Sequence, residues 1–201
     1  MPQWAAWIIG GITAVFVGAA GYSAWRLWRG LFQNLFRDRP IFGDRGGTLR
    51  RGDLVTALRF FMSLEQSQVK FYERQRQNIT DPHLSLALQK FSDVEQQHAH
   101  RVEQQLHRLG AEGLKVHRGA GEAWGVISGL VTRLLGEKAM LNAGHRLEQK
   151  AIDHYLRLYR QCGDPELKKM LMDNLIDEET HSAWFREKLA QVQEREEGDS
   201  Y

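Results

Sequence analysis

The chain has 201 residues, a formal net charge of +2, four prolines and a single cysteine, Cys162. That length accommodates one domain and an appendage, the near-balanced charge gives no footprint for nucleic acid, and a lone cysteine excludes an internal disulfide and fits a reducing compartment. Residues 52–109 and 138–194 are rich in Leu, Glu, Gln, Lys, Arg and Ala, with no useful alternating run, so the expected fold class is all-α.

The first element is apolar. "MPQWAAWIIGGITAVFVGAAGYSAW" carries no charged side chain before Arg26. As a helix, Trp4 to Trp25 spans about 33 Å, the thickness of a bilayer's hydrocarbon core. Trp4 and Trp7 at one end and Tyr22, Trp25 and Trp28 at the other fit two headgroup-level belts. A transmembrane anchor is therefore expected over 1–29. A cleaved signal peptide would carry positive charge ahead of the apolar run, and none is there. Residues 30–51 read as a basic juxtamembrane linker, since 26–51 holds seven arginines against two aspartates. The positive-inside tendency puts the following domain on the cytoplasmic side of a bacterial-type inner membrane, crossed once. Gly10, Ala14 and Gly18 recur every fourth residue, a face suited to homo-oligomer formation or to contact within a membrane complex. The plainer reading is that small residues are common in membrane helices.

Beyond the linker the chain repeats itself. Shifted by 83 residues, "LEQSQVKFYERQRQNITDPHLSLALQKFSDVEQQH" falls on "LEQKAIDHYLRLYRQCGDPELKKMLMDNLIDEETH" without a gap. Glu65 meets Glu148, Tyr72 meets Tyr155, Asp81-Pro82 meets Asp164-Pro165, and Glu95 and His98 meet Glu178 and His181. This is a duplicated helical hairpin. In each copy Asp caps the second helix and Pro opens it. Helices are expected over roughly 53–79, 82–109, 137–162 and 165–194, in a domain spanning 52–194, with a crossover segment over 110–136 and a disordered tail over 195–201.

Each hairpin places one glutamate midway along its first helix and a Glu-x-x-His midway along its second. Antiparallel pairing brings Glu65 level with Glu95, and residues three apart share a helix face. Four carboxylates and two imidazoles then converge in one bundle core. Without metal such a cluster is strongly unfavourable, because like charges repel and each loses its hydration. Two divalent ions match the charge, and mixed carboxylate and imidazole ligation suits iron, with manganese as the alternative. The candidate metal ligands are Glu65, Glu95, His98, Glu148, Glu178 and His181. A lone Glu-x-x-His on a polar helix is usually a solvated face, as at His83, His100, His107 and His117. Two of them, each thirty residues after a glutamate in an equally spaced repeat, are not readily a coincidence. Tyr72 and Tyr155 lie two turns beyond the first glutamate of each copy, as core packing or as hydrogen-bonding or electron-transfer groups beside the metals. His145, one turn before Glu148, is a candidate extra ligand, but its repeat counterpart is Met62.

The paired hairpins resemble the ferritin-like di-iron carboxylate superfamily, rubrerythrins included, whose bundles take one Glu from each of two helices and a Glu-x-x-His from each of the other two. The stretch "WGVISGLVTRLLGEKAMLNAGHRLEQKAIDHYLRLY" is most similar to the third-helix region of demethoxyubiquinone hydroxylases: a Gly-rich apolar segment, a Leu-Leu-Gly-Glu run, a ligand glutamate, then His154-Tyr155. That resemblance implies a ferritin-like four-helix bundle with two iron ions, and adds His154 to Tyr72 and Tyr155 as candidate catalytic residues. It implies a monooxygenase that hydroxylates a quinone-like lipid, as in ubiquinone biosynthesis, using O2 and an external electron donor, and the expected anchor would hold that enzyme at the membrane. Trp124, Ile127, Leu130, Val131, Leu134 and Leu135 form an apolar stripe in the crossover, read either as a connector packed on the bundle or as a helix that dips among membrane lipids and gives a hydrophobic substrate a path. The alternatives are a rubrerythrin-like peroxide reductase, an iron-oxidising protein, and a non-catalytic accessory subunit of a membrane complex. Cys162 alone cannot build the cysteine-rich electron-delivery segment usual in rubrerythrins.

Overall fold

The computed structural model describes residues 48–112 and 118–198, with 118–135 described as helix backbone alone. Four helices account for nearly all of it: α1 (Arg51–Arg76), α2 (Pro82–Arg108), α3 (Arg118–Gln161) and α4 (Pro165–Gly198). No strand occurs among the described residues. Helix α1 pairs with α2 and α3 with α4, and the α1–α3 and α2–α4 faces close a four-helix bundle.

The helix starts follow from local chemistry. The Asp81 carboxylate accepts from His83 N at 2.8 Å and Leu84 N at 3.2 Å, with Pro82 as the first helical residue. In the second hairpin Asp164 Oδ1 accepts from Leu167 N at 2.9 Å, ahead of Pro165. These bonds satisfy amides that a helix N-terminus leaves without partners. At the opposite end of α2, the Arg51 guanidinium donates to Leu109 O, and Leu49 N donates to Gln161 O at 3.0 Å. The start of α1 is thereby tied to the end of α2 and to the α3–α4 turn.

Each helix buries one stripe. On α1 it runs through Leu54, Ala57, Leu58, Phe61, Glu65, Gln68, Tyr72 and Gln75; on α4 it runs through Leu167, Leu171, Asn174, Glu178, His181 and Phe185. This three-and-four spacing is the inward face of an amphipathic helix. Leu58, Phe61, Val102, Leu106, Tyr155, Leu158, Leu167 and Leu171 are fully buried together, each worth about 2 kcal/mol against an exposed position. The glutamates sit on the same stripes as this core.

Helix α3 is two helical segments joined at Gly136, whose φ of 81° and ψ of −177° lie where only glycine is at ease. The expected apolar stripe of 121–136 falls on side chains outside the described residues. The expected anchor at 1–29, and the linker 30–51 as far as residue 47, also lie outside them. Among the described residues no helix is long and apolar enough to cross a membrane. The expected disordered tail needs correction: α4 continues through 195–198. Glutamates favour helix there, and Arg195–Glu137 at 3.6 Å and Lys138–Glu196 at 2.7 Å hold the last turn against α3.

Candidate metal centre

Glu65 comes from the middle of α1, Glu95 and His98 from α2, Glu148 from α3, and Glu178 and His181 from α4. All four glutamates and His98 are 0% exposed, and His181 is 4% exposed. Two sets of ligand atoms, each mutually within 4.8 Å, result: Glu65, Glu95, His98 and Glu178; and Glu95, Glu148, Glu178 and His181. Glu95 and Glu178 belong to both. His98 Nδ1 lies 3.1 Å from Glu95 Oε2, 3.3 Å from Glu178 Oε1 and 3.5 Å from Glu65 Oε2. His181 Nδ1 lies 3.0 Å from Glu95 Oε1 and 3.9 Å from Glu148 Oε2.

Hydrogen bonding, as between His98 Nδ1 and Glu95 Oε2, accounts for only part of this proximity. Glu65 Oε2, Glu95 Oε1, Glu148 Oε1, both Glu178 oxygens and His181 Nδ1 are buried without a hydrogen bond. So many orphaned acceptors in one core is a cost that folded proteins avoid unless something else satisfies them. Protons are one substitute. Burial, then the charge of Glu178, pushes the Glu95 and Glu148 carboxyls well above the usual range. Burial lowers the basicity of His98, but the close approach of Glu178, Glu65 and Glu95 outweighs this and holds it well above an ordinary imidazole. His181 is dominated by burial and falls to about 4, with the Glu178 charge acting the other way. Metal is the other substitute, and the donor set fits it. Four carboxylates and two imidazole Nδ1 atoms converge, and the far nitrogen of His98 is engaged by Asp177 Oδ2 at 3.0 Å, the outer carboxylate that metal-bound histidines commonly have.

Tyr155 joins the cluster: its hydroxyl donates to Glu65 Oε1 at 2.5 Å and accepts from Asn174 Nδ2 at 2.9 Å. Burial, then the nearby charges of Glu65 and Glu178, hold it as a phenol. Tyr72 sits at the equivalent place but behaves differently. It is fully buried with its hydroxyl unpartnered, against Phe71, Phe91 and Phe185. His154, next to Tyr155 on α3, points about 100° away. Its ring packs edge-on against Phe60 at 5.0 Å, and no described contact links it to the six cluster residues. Burial, with Lys150 and Arg157 nearby, drops it to about 4. His145 Nδ1 meets Ser182 Oγ at 3.1 Å rather than the carboxylates.

Sequence reasoning missed four groups around the cluster. Gln68 Nε2 donates to Glu148 Oε2 at 3.2 Å; Asp177 takes His98; Arg101 donates to Asn174 Oδ1 at 2.8 Å and lies 3.5 Å from Asp177; and Asn174 orients Tyr155. Gln68, one turn beyond Glu65, and Asn174, one turn before Glu178, carried a signal as polar residues on the buried stripes.

Four long helices around a buried set of four carboxylates and two imidazoles define a ferritin-like carboxylate bundle. The rubrerythrin family model matches residues 57–189, a span that contains all six, and the chain belongs to the rubrerythrin family. Its fold is similar to a two-domain protein from Anabaena variabilis with DJ-1/ThiJ/PfpI-like and ferritin-like domains, at a TM-score of 0.62 and 16% identity over 75% of this chain and 45% of that one. It is equally similar to a dodecameric thioferritin, the bacterioferritin-related protein of Bacteroides fragilis, at 0.62 and 14% over 75% and 92%. At such identities the likeness is one of fold, and the chain spans under half the length of the two-domain protein. No curated protein matches the chain in sequence.

Proposed function

We propose that this chain is a rubrerythrin-type dinuclear iron oxidoreductase that passes electrons from an external donor to hydrogen peroxide. The observation that carries the reading is the fully buried cluster of six, with its carboxylate oxygens converging but unpaired. Glu65 and His98 would hold one ion, Glu148 and His181 the other, and Glu95 and Glu178 would serve both. A bound iron pair supplies two electrons, one from each ion, which is what reduction of H2O2 with two protons to two waters requires.

The chain's own part is to position and to exclude. Tyr155 keeps its proton on the hydroxyl and fixes Glu65, while Gln68 fixes Glu148. Complete burial of the carboxylates keeps bulk water out and favours a small reactant. Family membership favours iron over manganese, since the donor set itself suits both. Self-assembly belongs to the same proposal, with the dodecameric thioferritin as a precedent of fold. The quinone-hydroxylase expectation rested on the resemblance of residues 124–159, with the anchor at 1–29 and the apolar stripe of 121–136 added as a route for a lipid substrate. The anchor and the stripe's side chains lie outside the described residues, and the match to rubrerythrin gives that finer reading no support.

The test is to load the protein with ferrous iron without oxygen and mix it with peroxide or with dioxygen while following the iron absorbance. The expected result is one peroxide consumed per centre oxidised, faster than with dioxygen. A centre oxidised faster by dioxygen would move the assignment to iron oxidation.

A further inference from the structure

The repeat duplicates the six ligands but not what surrounds them. Outside His98 stand three polar groups: Asn174, Asp177 and Arg101. Shifted by the repeat, the matching residues around His181 are Phe91, Val94 and Trp184. Asp177 accepts from His98 Nε2 at 3.0 Å and is steadied by Arg101 at 3.5 Å, which also holds Asn174 at 2.8 Å. On the other side the Phe91 ring packs 4.2 Å from His181, and Trp184 closes edge-on against Phe91 at 5.2 Å. Among the described residues, the acidic groups within 4 Å of His181 are Glu95 and Glu148, both on Nδ1. One imidazole is therefore held from behind by a carboxylate, and the other rests against an aromatic wall.

An outer carboxylate orients an imidazole and raises its basicity as a ligand, and removing such a partner typically weakens metal binding about 10- to 100-fold. We propose that the two metal positions are unequal: the position at His98 fills first and holds its ion, and the position at His181 fills second and exchanges it. This rests on the dinuclear reading above. In function it leaves a fixed ion beside the polar half and an exchangeable one beside the apolar half.

The test titrates metal-free protein with Co(II) at one fixed pH, following the cobalt absorption bands and the heat of binding. Two steps are expected, the first at least about 10-fold tighter. His98→Gln should remove the tight step, and His181→Gln should remove the weak one. Asp177→Ala should weaken the tight step about 10- to 100-fold and leave the weak step in place. Two equal steps in the wild type, or the reverse pattern in the histidine variants, overturns the inference while two bound Co(II) per chain keep the dinuclear reading. So does an Asp177→Ala protein with both steps unchanged. Fewer than two Co(II) per wild-type chain overturns the dinuclear reading itself. Should Asp177→Ala not fold, the wild-type steps and the two histidine variants still decide.

Discussion

Tyr155 and Tyr72 occupy the same place in the two hairpins, yet one hydroxyl bridges Asn174 and Glu65 and the other makes no hydrogen bond. Tyr155→Phe leaves a buried carboxylate oxygen without its donor, so it should cost about 1–3 kcal/mol in chemical denaturation of the metal-loaded protein. Tyr72→Phe removes a hydroxyl with no bond to lose, and stability should hold or rise. Equal losses in the two variants would contradict the asymmetry. The six cluster residues were legible in the sequence because the chain writes them twice at the same spacing. The groups that orient them were not. Gln68 with Glu148, Asp177 with His98, and Arg101 with Asn174 join residues 80, 79 and 73 apart on different helices. None of these contacts has an echo in the repeat: the counterpart of Gln68 is Ala151 and that of Asp177 is Val94.

At the scale of elements, the α3–α4 pairing depends on one close approach. A Cβ built on Gly144 would lie 2.5 Å from Cζ of Phe185, which is fully buried beside Phe91 and Trp184 and has no room to withdraw. Gly144→Ala should therefore cost about 1–3 kcal/mol in thermal or chemical unfolding, and it should loosen the aromatic wall against His181. A neutral outcome would mean that α3 and α4 can slide apart without loss. The hairpin turns were readable because Asp-Pro states both cap and start, and the caps form as that chemistry requires. The boundary between crossover and helix was drawn at 136–137, where the break falls, but nothing in "LLGEKAM" marks Gly136 as the residue that takes a positive φ. The last turn of α4 was missed because the pairs that hold it, Lys138–Glu196 and Arg195–Glu137, join residues far apart in the chain.

For the whole molecule, the buried charges make stability depend on pH and metal together. In the metal-free fold the Glu95 and Glu148 carboxyls and the His98 imidazole all titrate above their ordinary values of 4.5 and 6.5. The folded chain then holds protons that the unfolded chain has released, so these groups lower stability as pH rises. His181 and His154, both at about 4, act oppositely: between 4 and 6.5 they add stability as pH rises, and above 6.5 they add no further slope. Above pH 6.5 only the destabilising trend remains. The melting temperature of metal-free protein should fall from pH 6.5 towards 9, whereas metal-loaded protein, its protons displaced by the ions, should not follow it. Parallel melting curves with and without metal would contradict this linkage.

The most direct measurement is the metal content of protein loaded with ferrous iron under anaerobic conditions and freed of excess by gel filtration, wild type beside Glu178→Ala. A centre built from these six residues predicts two iron ions per wild-type chain. It predicts one or none in the variant, which loses one of the two carboxylates common to both sets. Wild-type protein that retains no iron, or a variant that retains as much as the wild type, would contradict it.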